Sequence, residues 1–168
     1  MRLVHLLTIT RVALTAAVLA CAALVIDYQN PGDPAFCGVE SSCMKVRRSG
    51  LGLDISEWIN ANVAQGLTLP TLALFLFLTV LAVTFFLKTK LHAYTLAAMS
   101  GLGAVFAGFL IYAQTSIGVY CAYCMTVDVS AIVAGISSLL LAGAVAREKG
   151  GLFSELDAPL QQATDTAS

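Results

Sequence analysis

An all-α membrane protein, a four-helix transmembrane bundle beneath an outer loop containing a short amphipathic helix, is the fold class this sequence predicts. Three observations carry it. Of 168 residues, 58% are hydrophobic and only 11% charged, where a soluble domain carries roughly a quarter charged residues. The apolar residues stand in long blocks rather than at the spacing of a half-buried helix or strand. Short polar or Gly/Pro-rich stretches separate the blocks and mark turns. Four blocks reach or approach the roughly 20 residues that cross a bilayer core: residues 3–26, 67–87, 92–113 and 121–146.

The first block has a basic start, and Val18-Leu19-Ala20-Cys21 resembles the cleavage site of a lipoprotein leader. The residues after Cys21 stay apolar where a processed leader turns polar, so the block reads as a retained helix. Cys21, in mid-span, reads as a small buried thiol. An outer loop over residues 27–66 follows. Asn30-Pro31-Gly32-Asp33-Pro34 ends the first helix. Cys37 and Cys43 stand on a short flexible segment that can bring their thiols together. Asp54-Ile55-Ser56-Glu57 has the form of a capping box, and Ile55, Trp58, Ile59 and Val63 share one face of the helix it opens. That helix lies on the membrane surface or packs on the bundle end, and either way it roofs the site.

Residues 66–70 mark the start of the second span, and Lys88-Thr89-Lys90 makes the second and third an antiparallel hairpin. Gly101, Gly103 and Gly108, with Ala104 and Ala107, give the third span a small-residue face for close helix contact. Residues 1–146 thus form one membrane domain, and residues 147–168 a polar tail expected to be disordered. Arg2, Arg11, Lys88, Lys90, Arg147 and Lys149 fall on one side of the membrane, and Lys45, Arg47 and Arg48 on the other. This bias puts both termini in the cytoplasm and the loop outside, in a compartment where disulfides persist. A formal net charge of −1 excludes the electrostatic footprint of a nucleic-acid binder. The compact loops and Ala-rich spans point to a bacterial plasma membrane.

The chemistry is concentrated in cysteine. Cys121-Ala122-Tyr123-Cys124 opens the fourth span. Two thiols one helical turn apart can close a small ring and so hold or release two electrons. Unpaired backbone N–H groups and the positive end of the helix dipole face a sulfur there, which suits thiol–disulfide exchange. Asp128 stands four residues after Cys124 and seven after Cys121, on their helical face. An acid inside a span is costly and faces the bundle interior, so Asp128 is a candidate to hydrogen-bond a ligand or relay a proton. A structural role, bonded to Gln114, Thr115 or Ser116, is the other reading. The four outer cysteines also admit two permanent disulfides or a zinc site, and redox exchange is preferred because the segment lies at an oxidising membrane face. His5 and His92 fall at the opposite face and read as interfacial residues, so no metal ligands are assigned.

Cys-x5-Cys in the first outer loop, Ser49 a few residues on and C-x-x-C opening the fourth helix together resemble the vitamin K epoxide reductase family, over residues 5–146. The resemblance implies a quinone-linked thiol–disulfide oxidoreductase, with menaquinone, ubiquinone or a vitamin K-type quinone as electron acceptor. It implies that Cys37 and Cys43 are a shuttle pair exchanging with a thioredoxin-like partner outside the cytoplasm. Cys121 and Cys124 become the active-site pair, with Cys124 facing the quinone, and Ser49 a loop hydroxyl that helps position the site. The pocket walls are expected from spans one, two and four, with Leu67, Phe75 and Tyr123 as contacts. Two departures matter. Many relatives carry a fused thioredoxin-like domain that this sequence lacks, so a separate partner is expected, and Asp128 stands where some relatives have Tyr. A bacterial quinone-reducing disulfide oxidase shares four helices and two cysteine pairs, but its C-x-x-C lies in the first outer loop, and the reversed order here argues against it. The alternative from another class is a disulfide-stapled membrane scaffold without catalysis.

Overall fold

The computed structural model describes residues 2–29, 35–36, 45, 68–86 and 90–147. Cys37, Cys43, Ser49, Leu67, the surface helix expected at residues 54–63 and the tail from residue 148 lie outside them. The described residues form four helices: α1 (Arg2–Gln29), α2 (Leu69–Phe85), α3 (Lys90–Ile117) and α4 (Ala122–Arg147). Helices α1, α3 and α4 are long and apolar enough to cross a membrane, while α2 has 17 residues. At 1.5 Å per residue α2 is about 25 Å long, just short of a ~30 Å bilayer core.

α4 lies between α1 and α3, α2 leans on α1, and α2 meets its other neighbour α3 less closely. The bundle is therefore closed on three sides and loosest along the α2–α3 seam, although only residues 86–89 separate those two helices in sequence. α4 can occupy the centre because its buried stripe is small: Asp128, Ala131, Gly135, Ser138, Ala142 and Val145 recur at alternating three- and four-residue steps. The closest approach is at Gly135, where a β-carbon would stand 2.6 Å from Ala104 Cβ and 2.9 Å from the Ser100 carbonyl oxygen on α3. Of the small residues of α3 expected to make this contact, Ala104 does so, and the glycine it meets is on α4. Gly101, Gly103 and Gly108 have open space where a β-carbon would be. At Gly103 that space belongs to a cavity.

Several buried polar groups pair across helices, in a medium without water to serve them, while Ser100 Oγ on α3 is buried with no hydrogen-bond partner among the described residues. Thr10 Oγ1 on α1 lies 2.8 Å from Ser137 Oγ on α4. Arg11 donates from Nη2 to the Thr84 carbonyl at 2.7 Å and lies over the Phe85 ring, 4.5 Å from its centroid. A cation bonded to a last-turn carbonyl caps the C-terminus of α2. α1 also runs further than its apolar block. Asp27, expected at the start of the loop, lies within the helix at 2% exposure and accepts a hydrogen bond from the Phe36 backbone at 3.0 Å.

Candidate redox site

The site is built where α3 hands over to α4. α3 extends four residues beyond its expected end, to Ile117, and stops in a Schellman motif. Gly118 takes the left-handed conformation with φ 71°, its N–H donates to the Thr115 carbonyl (3.1 Å), and the Val119 N–H donates to the Gln114 carbonyl (3.3 Å). The reversal is tight enough to lay the first turn of α4 against the last turn of α3. Left-handed backbone costs a residue with a β-carbon about 1–2 kcal/mol. Gly118→Ala is accordingly expected to lower the thermal stability of the purified protein more than Gly118→Asn, since Asn tolerates this conformation; equal melting temperatures for the two variants would remove the role assigned to the turn.

Cys121 is the N-cap of α4. Its carbonyl accepts the first helical bond, from the Met125 N–H at 2.9 Å, and its Sγ accepts from the Cys124 N–H at 3.3 Å. In a capping box the N-cap side chain serves the third helical N–H, and the third side chain reaches back to the N-cap N–H. Here the second half comes from another helix: the Cys121 N–H donates to Gln114 Oε1 at 3.3 Å.

Gln114 also donates from Nε2 to Asp128 Oδ2 at 3.0 Å. Gln114 and Asp128 are each 3% exposed, and Cys121 is fully buried against Leu24. Cys124, half-buried, and Asp128 both line one cavity of about 210 Å³. An apolar cavity of roughly 150 Å³ accepts benzene, so this one has room for a substituted six-membered ring. Its wall is formed by Cys21, Leu24 and Tyr28 of α1, by Leu69, Pro70, Leu72, Ala73, Leu76 and Phe77 of α2, by Gly103, Phe106, Ala107 and Leu110 of α3, and by Val127 and Ala131 of α4. Leu72, Leu76 and Phe106 line it while being 36%, 46% and 46% exposed. The wall on the α2–α3 seam is therefore also bundle surface.

The structure brings Cys121, Cys124 and Asp128 together on the first two turns of α4, with Cys124 on the cavity and Cys121 behind it. Tyr123 lies beside them but off the cavity wall; its ring meets Phe36 edge-on, with centroids 6.3 Å apart. Phe75, expected on the wall, is 62% exposed and does not line the cavity, while its neighbours Leu72, Ala73, Leu76 and Phe77 on α2 do. A position one step along a helix turns by about 100°, so choosing the wrong member of an all-apolar run moves it off the wall. The wall also draws on α3, which was expected to contribute only packing. Two further residues enter the site. Cys21 is a cavity-wall thiol and not only a core residue, and Gln114 joins the acid to the dithiol turn. The legible signal for Gln114 was an amide inside an otherwise apolar stretch.

A bundle of helices apolar enough to cross a membrane, with a C-x-x-C opening the last of them beside an apolar cavity, is an arrangement suited to redox chemistry in a membrane. The chain belongs to the Vitamin K epoxide reductase family, whose model matches residues 6–139. No curated protein and no solved structure matches it.

Proposed function

We propose that this protein is a quinone-linked thiol–disulfide oxidoreductase that supports disulfide formation outside the cytoplasm. The observation that carries the reading is the shared cavity: the half-buried thiol of Cys124 and the buried carboxyl of Asp128 line one apolar space with room for a ring. Electrons would pass from a separate thioredoxin-like protein to Cys37/Cys43, then to Cys121/Cys124, and last to a menaquinone, ubiquinone or vitamin K-type quinone. Each protein step is thiol–disulfide exchange, in which a thiolate attacks a disulfide and releases another thiol. In the final step the Cys121/Cys124 dithiol becomes a disulfide, and its two electrons and two protons convert quinone to quinol. Cys124, on the cavity, is the sulfur that meets the quinone. Asp128 relays one of the protons and ends in the state in which it began. Ser49 would be the loop hydroxyl that helps position the site, and Tyr123 braces the turn against Phe36. The excess of Lys and Arg at the opposite end puts the C-x-x-C outside a bacterial plasma membrane and both termini inside.

The test uses purified protein in detergent, a dithiol reductant and a soluble short-chain quinone, with quinol formation followed by absorbance. Wild type is expected to turn over. Asp128→Asn is expected to lower kcat by about 100-fold or more, the range of a positioned proton-transfer group, and an unchanged kcat would take the acid out of the reaction. Should wild type neither exchange its disulfides nor reduce quinone, the stapled-scaffold reading replaces this one.

A further inference from the structure

We propose that Gln114 is a positioning residue, whose side-chain amide ties the backbone of Cys121 to the carboxyl of Asp128 and holds that acid at the cavity wall. The inference rests on the reading of Asp128 as a proton relay. The orientation of the amide follows from its partners. A backbone N–H can only donate, so the group facing Cys121 at 3.3 Å is the amide oxygen, and the NH2 group is left for Asp128 Oδ2 at 3.0 Å. With Oδ2 engaged, Oδ1 is the oxygen available to a ligand or a proton.

Three hydrogen bonds then run in series. The Cys124 N–H donates to Cys121 Sγ, the Cys121 N–H to Gln114 Oε1, and Gln114 Nε2 to Asp128 Oδ2. The two cysteines and the acid belong to α4, whereas the link between them comes from α3, seven residues upstream of Cys121 and reached only through the reversal at Gly118. A shift of the Cys121 backbone between the dithiol and disulfide forms is therefore passed to the acid through one rigid amide. Gln114 gains and loses no proton and forms no bond to the substrate. The two protons and two electrons of the dithiol still go to the quinone, with Asp128 carrying a proton through. Gln114 sits buried at 3% exposure on the same wall, so water does not take over its hydrogen bonds.

The test is a double-mutant cycle in the quinol assay. Gln114→Met keeps the length of the side chain and removes both hydrogen bonds. It is expected to lower kcat about 10-fold or more, with quinone KM within about twofold of wild type, the split of a residue that acts on the step and not on binding. Combined with Asp128→Asn, it is expected to add no more than about a twofold further loss, because both substitutions disable the same relay. A merely structural amide would multiply its effect on that of Asp128→Asn, and that result overturns the proposal. Where Gln114→Met does not fold, Gln114→Asn carries the test, since a side chain one methylene shorter cannot span both partners; a kcat within twofold of wild type for either folded variant also overturns it. Wild type and Asp128→Asn are measured alongside. Failure of those two is failure of the quinone–acid reading, whereas their success with unaffected Gln114 variants is failure of this inference alone.

Discussion

Cys124→Ser is expected to abolish quinol formation, lowering it by roughly a thousandfold or more, because a hydroxyl of nearly the same size cannot take part in thiol–disulfide exchange. Cys121→Ser is expected to be equally inactive in turnover, since the remaining thiol has lost the partner with which it closes a disulfide. The two variants separate by a second measurement. Cys124 lines the cavity and Cys121 is fully buried behind it. An apolar maleimide should therefore label Cys124 in the Cys121→Ser protein and leave Cys121 unlabelled in the Cys124→Ser protein. Cys21 provides the contrast. It also lines the cavity but belongs to no dithiol motif. Cys21→Ala is expected to leave kcat unchanged and to raise quinone KM by at most about tenfold, the effect of one small wall group in an apolar pocket. An inactive Cys21→Ala beside an active Cys124→Ser would overturn the assignment of the redox pair.

The largest stability effect is expected at Gly135. An added β-carbon meets Ala104 Cβ at 2.6 Å and the Ser100 carbonyl oxygen at 2.9 Å, and the second of these is backbone that cannot rotate away. Overpacking of this kind costs about 1–3 kcal/mol, and Gly135→Val, with a bulkier and stiffer side chain, lies at or beyond the upper end. Pushing α3 from α4 also pulls Gln114 from Cys121 and Asp128, so lost activity should accompany the lowered melting temperature. Ala104→Gly removes the first contact and leaves the second, and should therefore restore Gly135→Ala only in part. A Gly135→Ala protein as stable as wild type would mean that the two helices do not cross here.

Much of this site was legible in one dimension, for local reasons. A C-x-x-C at the start of an apolar block puts both sulfurs on the first turn of a helix whatever the rest of the bundle does, and Asp128 follows on the same face by helical periodicity alone. The pairing of Asp128 with Gln114 was foreseen as one of three partners. The acid's place facing a ligand was expected as well, but as the competing reading; that bonding to Gln114 and lining the cavity are compatible was not. Phe75 and the glycines of α3 went astray for a single reason. In a lipid-facing helix the outer side is as apolar as the inner one, so composition does not tell which face packs.

What the sequence by itself determined is the class of this protein: an all-helical membrane chain with a dithiol at the mouth of its last helix and an acid one turn deeper. Those features depend on hydrophobic length and on spacing within one helix. Tertiary structure alone decided what surrounds them. It laid α4 against α3 through a glycine on the unexpected helix, opened a cavity along the loosely packed α2–α3 seam, and brought an amide from one helix to close the cap of another. Such contacts are set by the rotation and approach of whole helices, and no spacing within a single apolar run records them.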